Sequence, residues 1–119
     1  MSRVNYRLVD DSDLEFIPVA QVDDLPNGER LLLDIGGEPI ALFNIGGRFV
    51  AIADLCSHDD GPLAQGELEG TQIECPRHGA RFDLETGKAL SLPAIVDIPA
   101  YPVRVVEGEI QVGLPKLEL

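Results

Sequence analysis

The chain has 119 residues and a formal net charge of −12, enough for one domain that buries roughly two thirds of the surface its unfolded form would expose. So acidic a surface pushes away the phosphates of nucleic acids and anionic lipids, which excludes nucleic-acid binding and argues against membrane attachment. No segment approaches the roughly 20 consecutive apolar residues of a membrane span, and the opening MSRVNYRLVDDSD lacks the apolar core of a secretion signal, so a cytoplasmic address is expected.

Apolar runs are short, rich in Val and Ile, and punctuated by Gly, Asn and Pro. That is the pattern of an all-β sandwich or small barrel, and no stretch of about eleven residues carries a helical period. Residues 1–13 read as an N-terminal lead, mobile or loosely attached, and residues 14–119 as a single domain. Phe16 to Gln21 predicts a first strand, followed by a turn at Asp24-Leu25-Pro26-Asn27-Gly28. Arg30 to Ile35, Pro39 to Ile45 and Arg48 to Asp54 predict three strands of a meander. Gly36-Gly37 and Gly46-Gly47 join them, because tight hairpins demand the positive φ that glycine supplies. Gly66 to Glu74 is expected to hold a strand ending at the second Cys/His cluster, and Ala80 to Leu84 another, closed by the turn Glu85-Thr86-Gly87-Lys88. Tyr101 to Val106 and Glu109 to Val112 flank Glu107-Gly108 and are expected to pair as a hairpin returning to the first sheet. The prolines of Leu92-Pro93-Ala94 and Ile98-Pro99 mark loops or edges, since proline donates nothing to a ladder.

All the cysteine and histidine of the chain falls into two short clusters, Cys56-Ser57-His58 and, after a sixteen-residue gap, Cys75-Pro76-Arg77-His78. In a reducing cytosol two cysteines stay thiols, so metal ligation or catalysis explains them better than a structural bridge or inert burial. Each cluster sits where the strand pattern stops, in loops of about residues 54–65 and 75–82, which would project from one end of a sheet and clamp a cofactor. One thiolate and one imidazole per loop is the ligand set of a Rieske [2Fe-2S] centre, Cys56 and Cys75 on one iron, His58 and His78 on the other. Gly61-Pro62, Pro76 and Gly79 permit tight loops whose N–H groups can point at sulfur.

Two other chemistries use the same residue types. Two thiolates and two imidazoles also satisfy a structural zinc site, although such sites usually group Cys with Cys and His with His, whereas each loop here mixes them. A Cys-His catalytic pair is the other alternative, but two such pairs with no evident third orienting residue fit it poorly.

The spacing C-x-H, a sixteen-residue gap, C-x-x-H-G and then F-D-x-x-T-G resembles a Rieske domain across about residues 14 to 113. The resemblance implies a β-sandwich carrying a small cluster-binding subdomain made of the two loops, and one [2Fe-2S] cluster per chain. It also implies histidines near the surface, at the electron exit, and a Leu92-Pro93-Ala94 segment that shields the cluster from a third side. Two departures are informative. The Rieske proteins of cytochrome bc-type complexes carry a disulfide between the loops and a Ser and a Tyr hydroxyl near the cluster. The matching positions here are Gly61 with Arg77 and Ala80 with Phe82, which can form neither.

Two ferric ions, two sulfides and two thiolates sum to roughly zero charge, whereas four thiolates leave about two negative charges. This is why Rieske potentials, about −150 to +300 mV, lie above the roughly −400 mV of plant-type ferredoxins. Fewer hydrogen bonds to sulfur stabilise the reduced state less, so the potential expected here is on the order of −150 mV. A low-potential, stand-alone Rieske domain is similar to the ferredoxin components of bacterial aromatic-ring dioxygenase systems. That resemblance implies a monomeric one-electron carrier, not itself an enzyme, between a flavin-containing reductase and a terminal oxygenase. The small subunit of an assimilatory nitrite reductase is an alternative within the same fold, disfavoured by the complete ligand set. The acidity suits docking to a basic partner, although it also simply keeps a small protein in solution. Asp59 and Asp60 tune His58, greet a partner or are merely solvated. Arg77 and Arg81 offset local negative charge or contact an acidic patch, and Asp83 with Thr86-Gly87 stabilises a turn.

Overall fold

A computed structural model describes residues 5–55, 62–76, 79–92 and 96–116. The strands are β1 Leu14–Gln21, β2 Arg30–Ile35, β3 Glu38–Ile45, β4 Arg48–Ala53, β5 Glu67–Glu69, β6 Gln72–Glu74, β7 Arg81–Asp83, β8 Ala100–Tyr101, β9 Val103–Val106 and β10 Glu109–Pro115. Among the described residues the only helical pieces are three single 3-10 turns, Tyr6–Leu8, Asp11–Asp13 and Val22–Asp24. This bears out the all-β expectation.

The strands form three antiparallel sheets, ordered β1-β10-β9, β2-β3-β4-β8 and β5-β6-β7. The four-stranded meander is the middle layer, and its sequence says why. In β3, Ala41 and Phe43 face one way and Ile40 and Leu42 the other, so alternation with period two leaves both faces apolar. Ala41, Phe43, Val50 and Ile52 pack with Leu63, Ile73, Phe82 and Leu84 of the β5-β6-β7 unit. Ile40, Leu42, Ala51 and Ala53 pack with Ile110, Val112 and Leu114 of β10. Asn44, the buried polar side chain on β3, is satisfied: its Nδ2 donates to the Leu25 carbonyl at 2.8 Å and its Oδ1 accepts from Gly47 N–H at 2.8 Å.

The hairpins turn where glycine lets them. Gly36 and Gly37 have φ of 61° and 88°, and Gly46 and Gly47 have 65° and 92°, so both central residues of each turn are left-handed, the geometry whose twist matches the flanking strands. β2 falls on the expected Arg30–Ile35.

Two expectations are corrected, the unbroken strand Tyr101 to Val106 and the loosely attached lead. Gly66 to Glu74 holds the expected strand ending at the second cluster, β6, and also β5, which folds onto it at Gly70 with φ 60°. The expected strand Tyr101 to Val106 breaks at Pro102, which has no N–H to donate: β8 pairs with β4, and β9 leaves for the other sheet. The two late strands pair as the expected hairpin, β9 with β10, and the hairpin joins β1, which pairs with β10 from Leu14↔Pro115 to Gln21↔Glu109. The lead is fastened rather than loose from residue 5 onward. Asn5 bridges to Ala100, Tyr6 stacks on Tyr101 with ring centroids 5.3 Å apart, and Arg7 Nη1 donates to the Glu85 carbonyl at 2.5 Å.

Candidate functional site

The first ligand-bearing loop runs from β4 to β5, and the second joins β6 to β7. The second begins where β6 ends. Cys75 N–H donates to the Ala80 carbonyl at 2.7 Å, and Gly79 N–H donates back to the Cys75 carbonyl at 3.0 Å. Gly79 sits at φ 77°, a conformation that side chains resist, so the chain reverses between Cys75 and Ala80 and re-enters as β7. Glu74 then pairs with Arg81 across the base.

The thiol of Cys75 is free and only 1% exposed, buried in one apolar group with Leu63, Ala64, Ala80, Phe82 and Ile98. Ala80 and Phe82, the positions where the high-potential branch of the resembling family carries hydroxyls, are fully buried, and their side chains bring no hydroxyl to this pocket.

The first loop leaves β4 at Asp54, whose N–H donates to the Pro39 carbonyl at 2.9 Å. The Asp54 carboxylate then reaches across the loop's neck: its Oδ1 accepts from Leu63 N–H at 2.8 Å and from Ala64 N–H at 2.7 Å. Nine residues further along the sequence the chain is therefore back beside its starting point. On the returning limb, Arg30 Nη1 of β2 donates to the carbonyls of Ala64 at 2.6 Å and Gly66 at 2.7 Å, while its guanidinium carbon lies 5.5 Å from the centre of the Phe43 ring.

Of the sequence-derived ligand residues, Cys75 directly follows β6, at the mouth of the second loop. Cys56, His58 and His78 lie outside the described residues, as do Asp59, Asp60, Gly61, Arg77 and the Pro93-Ala94 part of the proposed shield. Among the described residues no group of three or more His, Cys, Asp or Glu side chains gathers as a metal site. Arg81 is tied down within the small sheet, 3.5 Å from Glu69 and 3.3 Å from Glu74. Asp83 serves its turn, Oδ1 accepting from Glu85 N–H at 2.7 Å and Thr86 N–H at 3.3 Å. The third flank is pinned at its ends, where Ile98 N–H donates to the Gly87 carbonyl at 2.8 Å and Ala89 N–H donates to Asp97 at 2.8 Å.

Sequence reasoning passed over Asp54 and Arg30. An Asp at a strand end just before a glycine- and proline-containing loop is a signal for side-chain capping of that loop; Arg30, 34 residues before Ala64, leaves no local trace.

The residues present fit a Rieske [2Fe-2S] group. The sequence carries two cysteines and two histidines, and the described thiol, Cys75, is free, buried and set beside a tight backbone reversal whose conformation glycine permits.

Comparison with known proteins agrees. The Rieske [2Fe-2S] domain family matches residues 15–102. The 3-phenylpropionate/cinnamic acid dioxygenase ferredoxin subunit of Escherichia coli K12 is 48% identical over 98 residues, covering 82% of this chain and 92% of that one. The ferredoxin of carbazole 1,9a-dioxygenase from Nocardioides aromaticivorans IC177 superposes with a TM-score of 0.79 at 36% identity, covering 85% of this chain and 98% of that one. A complex of reduced oxygenase and oxidized ferredoxin in carbazole 1,9a-dioxygenase contributes a chain with TM-score 0.78 at 35% identity, covering 87% of this chain and 97% of that one.

Proposed function

This chain belongs to the Rieske [2Fe-2S] domain family, and we propose that Cys56 and Cys75 hold one iron as thiolates while His58 and His78 hold the other as neutral imidazoles. The cofactor is a [2Fe-2S] cluster, and the chain is a Rieske electron carrier of the ferredoxin kind, a transfer component rather than an enzyme by itself.

The cluster, when bound, supplies a centre that accepts and returns a single electron. Everything else is the work of the chain. The apolar group around Cys75 excludes water from one thiolate, Gly79 turns the backbone sharply beneath it, and Asp54 closes the neck of the loop that carries Cys56 and His58. The packed sheets hold the bases of both loops, β4 and β6 sharing one apolar core with Cys75.

The partners we assign are a flavin-containing reductase as donor and a terminal oxygenase as acceptor. A relative resolved in complex with an oxygenase supports the second. A carrier that must dock and leave works best as a monomer with a small contact area, and the reducing cytosol suits its thiols. The nitrite reductase alternative is weaker, because relatives at 48% and 36% identity are dioxygenase ferredoxins.

The observation that carries the reading is the dry, unbridged thiol of Cys75 at the mouth of the second loop. Metal and acid-labile sulfide analysis of anaerobically purified protein tests it. Two irons and two sulfides per chain are expected; a colourless protein holding zinc and no sulfide contradicts it.

A further inference from the structure

Charged side chains with no place in the ligand set grip one short segment from both sides. The segment Leu63–Gly66 leads out of the first loop and into β5. Its N–H groups at Leu63 and Ala64 are taken by the Asp54 carboxylate, and its carbonyls at Ala64 and Gly66 are taken by the Arg30 guanidinium. A carboxylate can only accept and a guanidinium can only donate, so the two side chains divide the backbone polarity of the segment between them. Arg30 is anchored in turn by its place over the buried Phe43 ring on the middle sheet.

The same segment touches the second loop. Gly66 passes so close to the Glu74 carbonyl that no side chain fits between them, and Glu74 immediately precedes Cys75. Residues 63–66 thus meet the necks of both loops, and both charged groups act on them.

We propose that Arg30 and Asp54 are positioning residues for the cluster: together they form a brace that sets the spacing of the two ligand loops and so governs how tightly the cluster is retained and how uniform its ligand geometry is. The proposal rests on the ligand assignment above. Neither residue touches iron; both act through Leu63, Ala64 and Gly66. The two act on one segment, so their effects are coupled rather than additive.

The test follows cluster release from the holoprotein into an excess of iron chelator, by loss of visible absorbance, together with the line width of the EPR signal after dithionite reduction. Arg30→Ala and Asp54→Ala are each expected to release the cluster at least about fivefold faster than the parent and to broaden the signal. The double variant should be little worse than either alone. Asp54→Asn, whose side-chain oxygen still accepts both N–H groups, should stay within about twofold of the parent. Asp83→Ala serves as the control, since it removes turn hydrogen bonds on the same small sheet without reaching the segment.

Brace variants that lose thermal stability as Asp83→Ala does, yet keep the parent's release rate and line width, overturn the proposal. If Asp54→Ala does not accumulate as holoprotein, Arg30→Gln decides the matter by the same two readouts. Failure of the ligand assignment is seen separately, in the parent protein, as a missing iron–sulfur signal before any variant is compared.

Discussion

A Cβ added to Gly66 would lie 1.8 Å from the carbonyl oxygen of Glu74 and 2.9 Å from its carbonyl carbon. Both atoms belong to backbone already fixed by the β6 pairings to β5 and β7, so neither can give way cheaply. The first prediction is that Gly66→Ala separates the loop bases and costs about 3 kcal/mol or more. Iron and sulfide per chain should fall well below the parent's after identical purification. Full occupancy with an unchanged melting temperature would show that the close approach has no structural consequence.

The potential offers a second prediction. Ala80 and Phe82 are buried in the same apolar group as the Cys75 thiol and bring no hydroxyl to it. A hydrogen bond to a charged group contributes about 1.5 kcal/mol, and about 59 mV corresponds to a tenfold change for one electron. Ala80→Ser and Phe82→Tyr should therefore raise the midpoint from a starting value on the order of −150 mV by up to about 60 mV each. Protein-film voltammetry reads this directly; a parent value above about +200 mV would remove the basis for the expectation.

The proposed imidazole ligands lead to a third. Replacing His78 with Cys exchanges a neutral donor for an anionic one, which disfavours the added electron and lowers the midpoint. An unchanged midpoint in a His78→Cys protein that retains its cluster would mean that His78 is not on iron.

Alkaline stability provides a fourth. Burial, the nearby Glu38 carboxylate and Tyr6 hold the Tyr101 phenol well above its usual range in the folded chain. A group whose folded pKa is raised contributes its stability in full below the unfolded value, about pH 10, and loses it as the pH climbs from there toward the folded value. Between pH 9 and 11, denaturant titrations should show the parent losing about 1 kcal/mol more than Tyr101→Phe. Equal losses in the two proteins would remove Tyr101 as the source.

The meander was legible in the sequence because its signals are local. Paired glycines at 36–37 and 46–47 dictate left-handed turns, and β2 occupies the six residues its pattern marks. The β5-β6 hairpin was not, because one glycine at position 70 within an alternating run also suits a continuous strand. The strand swap at Pro102 depends on which sheet lies nearby, as shown by its carbonyl accepting from Gly113 N–H at 2.9 Å. The attachment of residues 5–13 likewise rests on Tyr6 finding Tyr101, a partner 95 positions away that no local pattern announces.

At the site, the cysteine and histidine spacing points to the cofactor, since each residue type is scarce and both fall in two short clusters, and the resemblance to a Rieske domain chooses among the chemistries those residues allow. The supports of those clusters are non-local. Asp54 answers Leu63 and Ala64 across a loop, and Arg30 answers Ala64 and Gly66 from another sheet, so neither is visible until the chain is folded.

The ligand assignment is the claim on which the rest depends, and pulsed EPR of the dithionite-reduced protein, with natural and nitrogen-15 histidine, tests it most directly. The prediction is an iron–sulfur signal coupled to two imidazole nitrogens, both changing with the isotope, and to one alone in His58→Cys. A signal without isotope-sensitive nitrogen coupling would contradict it.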